Sequence, residues 1–256
     1  MIPGAPGPSR PPGRWGSPAC LLALLAPAAL GCGGGAPLFH PAHVLHQGKV
    51  SAGAGFTGQV AAFPRSAPIH GRPSSDRRVE AFTVAPGVAP WVGARLGFAS
   101  DNEGGVTFTG RSLRLDGRHA FNDGVYSLSL GLGASAVSAL PGAEGGWVFG
   151  GALDVPILFG YHSASDLYSL WVGPRAGVEL LTGRIQVGED AVERVALSAR
   201  HLFVGGVAGL RVGFRHVHAA LEFSFAYHNV NARLGVETYA LDQLSLTPGG
   251  ALLFSF

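Results

Sequence analysis

Apolar and polar residues alternate at every second position through most of this chain. The clearest run is Tyr126–Ala136, where tyrosine, leucine and alanine at even positions face serine and glycine at odd positions. The chain ends on the same pattern in Ser245–Phe256, which is apolar at nearly every even position. Successive side chains of a β-strand point to opposite faces of the sheet. The pattern therefore predicts amphipathic strands, with one apolar face and one face of small and polar residues.

Nine segments carry this alternation strongly. They are Lys49–Ala61, Val88–Ala99, Gly105–Phe121, Val125–Ala139, Trp147–Tyr161, Leu167–Leu181, Arg200–Phe214, Val217–Tyr227 and Ser245–Phe256. Within Gly105–Phe121 the apolar face changes phase near Gly110, as it does at a β-bulge. We therefore predict one continuous, bulged strand there.

The composition favours a membrane-embedded barrel. The chain is 47% hydrophobic and only 13% charged, whereas soluble domains carry roughly 25% charged residues. No uncharged apolar run approaches the roughly 18 residues that a membrane helix needs. A closed β-barrel satisfies every backbone polar group between its strands and presents its apolar face to lipid. We therefore predict an all-β fold, a transmembrane antiparallel β-barrel.

Nine strands do not make a complete barrel, because bacterial single-chain barrels close with an even number. A tenth strand at Arg77–Val84 completes the set in our preferred interpretation, and residues 232–240 are the other candidate. Eight strands are the alternative, with Lys49–Ala61 outside the barrel.

The first 31 residues have the features of an export signal, with Arg10 and Arg14 before the apolar run Ala19–Gly31. Cys32 follows, so this region resembles a bacterial lipoprotein signal, in which that cysteine is acylated. The usual leucine three residues before the cysteine is replaced by Ala29. Ordinary cleavage nearby and retention of the leader are the alternatives. The expected organisation is a signal peptide at 1–31, a Gly- and Pro-rich linker with a candidate lipid anchor at 32–47, and a barrel at 48–256.

Residues 48–256 resemble the Gram-negative outer-membrane β-barrel proteins. The specific element is the final strand, with Phe254 and the C-terminal Phe256. In that family a C-terminal aromatic strand is the signal that the barrel-assembly machinery reads. The resemblance implies an outer-membrane location, and contact with outer-membrane lipid and with that machinery. It identifies no subfamily.

Nine charged residues within the predicted strands fall on the face opposite the apolar one. They are Arg95, Arg114, Asp116, Arg118, Asp154, Arg175, Glu179, Arg211 and Glu222. A charge on the lipid face costs about 2–4 kcal/mol near mid-membrane, so these side chains belong in the lumen. Five arginines and four acids nearly neutralise one another, which predicts a salt-bridge network filling a narrow lumen. A charge-lined channel for small solutes or ions is the alternative.

Catalysis is a weaker hypothesis. His201, His218, Glu222 and Ser224 all point inward on the predicted strands, and small barrels that modify lipids use such residues. A triad needs a nucleophile hydrogen-bonded to an oriented base, and spacing does not establish that. No basic cluster suggests nucleic acid, and no motif indicates a metal or cofactor.

The predicted function is therefore a non-enzymatic outer-membrane barrel with a structural, scaffolding or surface-loop role. Its partner, at the surface or in the periplasm, is unknown. The hairpin Leu181–Ala199 is the best candidate for partner contact, with Glu189, Asp190, Glu193 and Arg194 expected beyond the membrane. An ordinary solvated loop is the alternative interpretation of that hairpin.

Overall fold

The computed structural model describes residues 33–62, 74–139, 146–165, 167–186 and 194–256. One helix, α1, spans Ser74–Thr83. The strands are β1 (Val50–Ala62), β2 (Gly87–Ala99), β3 (Asn102–Thr109), β4 (Ser112–Asp123), β5 (Tyr126–Ala139), β6 (Gly146–His162), β7 (Tyr168–Gln186), β8 (Arg194–Phe214), β9 (Val217–Leu234) and β10 (Glu237–Ser255). Each strand pairs antiparallel with the next, and β1 pairs with β10 to close the barrel.

The closed ten-stranded barrel confirms the preferred fold prediction. Strand β1 pairs with β2 on one side and with β10 on the other, with Ala52 opposite both Ala94 and Phe254. The eight-strand alternative is therefore wrong, because the first strand is part of the wall. Closure leaves no strand edge unpaired, as a lipid environment requires.

The tenth strand lies elsewhere than predicted. The segment Gly105–Phe121 is not one bulged strand, because β3 and β4 form a hairpin that turns at Gly110, with φ of 44°. The phase change seen in the sequence marks this tight turn. Residues Arg77–Val84, predicted as a strand, belong mostly to helix α1. Residues 232–240 contain the turn between β9 and β10 and form no additional strand.

The two ends of the barrel differ. At the terminal end, where the Val50 amide donates to the carbonyl of Phe256 at 3.1 Å, strands are joined by short connections. At the opposite end, here called the loop end, lie the longer connections 63–86, 140–145 and 187–193. Outer-membrane barrels show the same asymmetry, with short turns on the periplasmic side.

The exterior of the wall is apolar. Every strand exposes at least one large aliphatic or aromatic residue, as the alternation predicts: Phe56, Leu96, Val106, Leu115, Leu132, Phe159, Val172, Val204, Phe223 and Leu252. Soluble monomers rarely expose apolar patches beyond a few hundred Å². The rings of Tyr126 and Tyr161 lie 5.6 Å apart at the terminal end, where an interfacial aromatic girdle belongs. In the described ranges, no helix has the length and hydropathy to cross a membrane.

The interior contains two apolar clusters. Toward the loop end, Val79 and Phe82 of α1 pack against inward side chains that include Val148, Leu181 and Ile185. Toward the terminal end, Leu38, Phe39 and Ala42, which precede β1, pack against inward side chains of the wall. Those side chains are Trp91, Leu158, Trp171, Val207, Ala220, Ala251 and Leu253. Inward charged side chains lie along the wall beside and between these clusters.

The lipid-facing assignment predicts the effect of Leu132→Arg. The substitution places a guanidinium in the middle of the apolar exterior, so the free energy of unfolding should fall by about 2–4 kcal/mol. Urea titration of the barrel folded in phospholipid vesicles measures it. Val236→Arg is the matched control, because Val236 is 92% exposed at the β9–β10 turn. Equal effects of the two substitutions would contradict a lipid-facing exterior.

Candidate functional site

The residues before the first strand run inside the barrel. Residues 33–49, here called the N-terminal segment, extend from Gly48, whose amide donates to the Gly97 carbonyl at the terminal end, to Gly34, whose amide donates to the Ala85 carbonyl after α1. Their Gly- and Pro-rich composition predicts a linker. Yet Leu38 and Phe39 are each only 2% exposed. This apolar pair gains free energy by leaving water, and the lumen offers it an apolar surface.

Glycines of the wall make room for the N-terminal segment. A Cβ at Gly249 would lie 2.7 Å from the Phe39 ring, and one at Gly160 would lie 2.6 Å from the Cβ of Ala42. A Cβ at Gly97 would overlap the backbone of the segment near His46. Real Cβ atoms do not approach other atoms this closely. These inward glycines therefore shape a groove that fits the segment.

A continuous ribbon of seven charged side chains lines one side of the lumen. In contact order they are Arg118, Glu103, Arg95, Asp116, Arg114, Asp154 and Arg175. Asp116 accepts from Arg95 and from Arg114 at 2.6 Å each, and Asp154 accepts from Arg114 and from Arg175 at 2.9 Å each. Each acid of the ribbon thus contacts two arginines. Six of the nine sequence-predicted lumenal charges belong to this ribbon.

The remaining three predicted charges lie apart from the ribbon. Glu179 pairs with Arg111, and Arg211 approaches His43 Nε2 at 3.1 Å and the Ser169 hydroxyl at 3.4 Å. Glu222 is buried on the opposite wall at 3% exposure. The predicted set is therefore all inward but forms several groups.

Glu222 holds the backbone of the N-terminal segment. Its two carboxylate oxygens accept the amides of Leu38 at 2.7 Å and Phe39 at 2.8 Å, and Trp171 Nε1 donates to it at 3.3 Å. Phe39 has a φ of 49°, a left-handed conformation that costs a non-glycine residue about 1–3 kcal/mol. Consecutive amides near such a residue converge on one anion, and here that anion is the Glu222 carboxylate.

The charged ribbon also binds the segment's backbone. Arg175 donates to the Ala36 carbonyl at 2.5 Å, and Arg118 donates to the carbonyls of Pro41 and of His43, the latter at 3.0 Å. Glu103 accepts the amide of Leu45 at 2.8 Å. The charges therefore have two kinds of partner, each other and the main chain of the segment.

Sequence reasoning missed two charged members of these groups, Glu103 and Arg111. Glu103 precedes the predicted strand, which begins at Gly105. Arg111 lies in the turn after Gly110, which the sequence pattern did not distinguish from a bulge. Continuing the alternation backward from Thr107 through Gly105 would have placed Glu103 on the inward face. Glu103 is fully buried and bonds both Arg118 and the Leu45 amide.

The structure groups serine and histidine differently from the catalytic hypothesis. His201 Nε2 lies 2.7 Å from His228 Nδ1, and His228 Nε2 lies 2.6 Å from the Ser245 hydroxyl. Ser224 has no hydrogen-bond partner among the described residues. Glu222 is occupied by Leu38 and Phe39, so the described contacts do not assemble His201, His218, Glu222 and Ser224 into a triad.

A cavity of about 120 Å³ lies where the N-terminal segment meets α1. Its lining, which includes Gly34, Thr83, Glu179, His201 and His228, mixes polar and apolar groups. Within the described ranges, no cluster of three or more His, Cys, Asp or Glu side chains is arranged to hold a metal ion.

The other predicted site residues do not belong to the lumenal groups. Cys32 is outside the described residues, and so are Glu189, Asp190 and Glu193 of the hairpin expected to contact a partner, whereas Arg194 begins β8 opposite Gln186. Residues 181–186 and 194–199 of that hairpin are paired strand, with Leu181 and Leu197 buried against α1. Phe254 and Phe256 both face outward at the terminal end.

The charge ribbon predicts a large loss of stability for Arg114→Met. The change removes the partner shared by Asp116 and Asp154 and leaves buried carboxylates undercompensated, so the free energy of unfolding should fall by about 3–5 kcal/mol. Arg184→Met, at an exposed position near the loop end, is the control and should change it little. Urea titration in vesicles compares the two variants. Similar losses would mean that the ribbon contributes no special stability.

No family model matches this chain, and no curated protein matches it. Solved structures with a similar fold include neisserial surface protein A (NspA), at 10% identity and TM-score 0.35, covering 81% of this chain and 96% of that one. Ail, the attachment invasion locus protein of Yersinia pestis, is 12% identical with TM-score 0.33, covering 82% and 100%. The translocator domain of the autotransporter NalP from Neisseria meningitidis is 10% identical with TM-score 0.32, covering 93% and 95%. These likenesses are too distant to carry an argument, and the strand pairing itself establishes the ten-stranded barrel.

Proposed function

We propose that this protein is a non-enzymatic outer-membrane barrel whose lumen is closed by its own chain. The observation that carries the proposal is the N-terminal segment, which lies in the lumen with backbone groups from Ala36 to Leu45 bonded to charged wall residues. Helix α1 packs inside the loop end through Val79 and Phe82. Two independent parts of the chain thus obstruct the same passage, one in each half.

The exterior supports an outer-membrane location. Lipid is the solvent that fits a wall in which every strand exposes a leucine, valine or phenylalanine. The C-terminal strand ending in Phe254 and Phe256 would supply the signal for the barrel-assembly machinery. Because the lumen is filled, a surface or periplasmic partner would bind at one end of the barrel. The loop end is the better candidate, since it carries the longer connections.

A gated channel is the second candidate function. The observation that favours it is that the two parts that fill the lumen, the N-terminal segment and α1, are not wall strands. Either could leave while the ten strands keep all their backbone pairing. The cavity of about 120 Å³ between them would then join a continuous passage lined by the charged ribbon.

Acylation of Cys32 remains part of the proposal and has a structural consequence. Gly33 is buried in the lumen, where a Cβ would lie 2.4 Å from the Pro86 carbonyl oxygen. An acyl chain on the preceding residue would have to reach the membrane leaflet. Anchoring at Cys32 and full seating of the segment are therefore alternative states of one chain.

Closure predicts that the unaltered barrel is silent in a planar bilayer and that a double variant, Phe39→Asp with Phe82→Asp, conducts. Phe39→Asp sets a carboxylate against Glu222 and Trp91, and Phe82→Asp puts one into the apolar cluster around α1. Each charge should expel the part that carries it, because burying an unpaired carboxylate is costly. Single-channel recording measures the result, and each single variant should conduct less than the double variant.

The matched control is His46→Asp with Ala81→Asp, which places the same charges at exposed positions of the same two parts. It should stay silent. Heat-modifiable migration in gels establishes that each variant is folded. Steady conductance of the unaltered chain would overturn the closed-barrel proposal in favour of an open channel, and silence of a folded double variant would show that these two parts are not what closes the lumen.

A further inference from the structure

We infer that the terminal-end half of the lumen is a binding channel for an extended, uncharged peptide, and that residues 36–45 are its built-in occupant. This inference deepens the proposed function, because it rests on the N-terminal segment being the part that fills that half of the barrel. It adds a ligand class: a polypeptide segment of a second protein that takes the place of the chain's own segment.

The first ground is that charged side chains of the wall bind main-chain atoms of the N-terminal segment. Four charged side chains make six hydrogen bonds with backbone atoms. Arg118 and Arg175 donate to the carbonyls of Pro41, His43 and Ala36, and Glu222 and Glu103 accept from the amides of Leu38, Phe39 and Leu45. Every peptide carries these groups, whatever its sequence. Recognition of this kind gives affinity without demanding one amino-acid sequence, as in strand addition to a sheet edge.

The second ground is the shape of the channel. One apolar pocket accepts the Leu38–Phe39 pair, and the Phe39 ring meets the Trp91 ring edge-on with centroids 4.9 Å apart. At Gly160 a Cβ would meet Ala42, and at Gly97 it would meet the backbone near His46, so the wall lies directly against the segment at these points. The channel therefore selects an extended peptide that has an apolar pair at the Leu38–Phe39 position and a small residue opposite Gly160.

The third ground is an imperfect match between the channel and its present occupant. His40 is 3% exposed, and neither of its ring nitrogens has a hydrogen-bond partner among the described residues. Burying an unsatisfied polar group opposes binding by an amount that corresponds to about tenfold or more in affinity. A peptide with an apolar residue at that position should therefore bind the emptied channel about tenfold more tightly than the segment's own sequence does.

The paired charges of the channel and the position of its entrance further define which peptides can bind. The stretch from Gly33 to Val44 has no acidic or basic residue apart from histidine. The wall charges there are already paired with one another or with backbone, so an added charge would lack a partner. Helix α1 occupies the loop end, which leaves the terminal end as the entrance. The ligand is thus an uncharged segment that arrives from the side where both termini of the wall lie.

The test uses the full chain with Phe39→Asp, refolded in detergent micelles, and a synthetic peptide of residues 33–47. Digestion by proteinase K shows whether the segment has left the lumen. The peptide should then bind at one site per barrel and change the emission of Trp91 and Trp171. Methylation of the peptide's Phe39 nitrogen, which removes a donor to Glu222, should weaken binding more than tenfold, and methylation at His46 is the control. A peptide with His40→Leu should bind about tenfold tighter than the parent peptide.

A second variant keeps the test decisive if Phe39→Asp fails to fold. Leu38→Asp puts a carboxylate one residue earlier in the same buried apolar cluster, so it should also expel the segment and let the peptide of residues 33–47 bind at one site per barrel. Glu222→Leu in that background removes the acceptor of the Leu38 and Phe39 amides and should weaken peptide binding more than tenfold. Equal binding with and without Glu222 would place the peptide outside the lumen and overturn the inference.

The outcomes separate this inference from the closed-barrel proposal. Conductance of the Phe39→Asp, Phe82→Asp barrel with no peptide binding to the emptied lumen would leave closure intact and refute the peptide channel. Peptide binding to a barrel that never conducts would support the peptide channel and refute closure by these two parts. Undiminished binding of the peptide methylated at Phe39 would refute backbone recognition.

Discussion

The apolar exterior is the constraint on which the rest of this structure depends. A wall that meets lipid has to turn its charged side chains inward, and the strand repeat of two leaves them the lumen. A charge inside a protein needs a partner of opposite sign or several hydrogen bonds. The seven-residue ribbon from Arg118 to Arg175 meets that requirement by alternating sign, and Glu222 meets it with the amides of Leu38 and Phe39.

The strand number decides what else must be inside. About eight strands make a barrel whose own side chains just fill it, and the diameter grows with each further strand. Here ten strands carry glycine at many inward positions, which widens the space again. The chain fills the surplus with two parts that belong to no strand, an apolar-anchored coil from one end and an amphipathic helix at the other.

Sequence reasoning predicted the wall well and its contents poorly, for one physical reason. Alternation is a local pattern, so it located the strands, the outward row and the inward face of charges such as Arg114 and Asp154. It could not separate the β3–β4 hairpin from a bulge, because both change the phase at Gly110. It also could not place residues 33–47 in the lumen, since their burial depends on glycines at 97, 160 and 249, far along the chain. Helix α1 was missed because RRVEAFTV is short enough to suit either a helix or a strand.

The contacts of the N-terminal segment indicate whether the lumen is built to bind a peptide or is only packed with part of the chain. A segment that only fills space gains stability when its side chains interlock with the wall, so side-chain packing should dominate along its length. In this lumen the apolar cluster takes only Leu38, Phe39 and Ala42 from the segment, and His43 contacts Arg211. Four charged side chains of the wall make six hydrogen bonds with main-chain atoms of the segment. His40 lies buried among them without a described hydrogen bond. A wall that binds main-chain atoms and buries His40 without a hydrogen bond can hold polypeptides of different sequence. The chain's own segment is one such polypeptide.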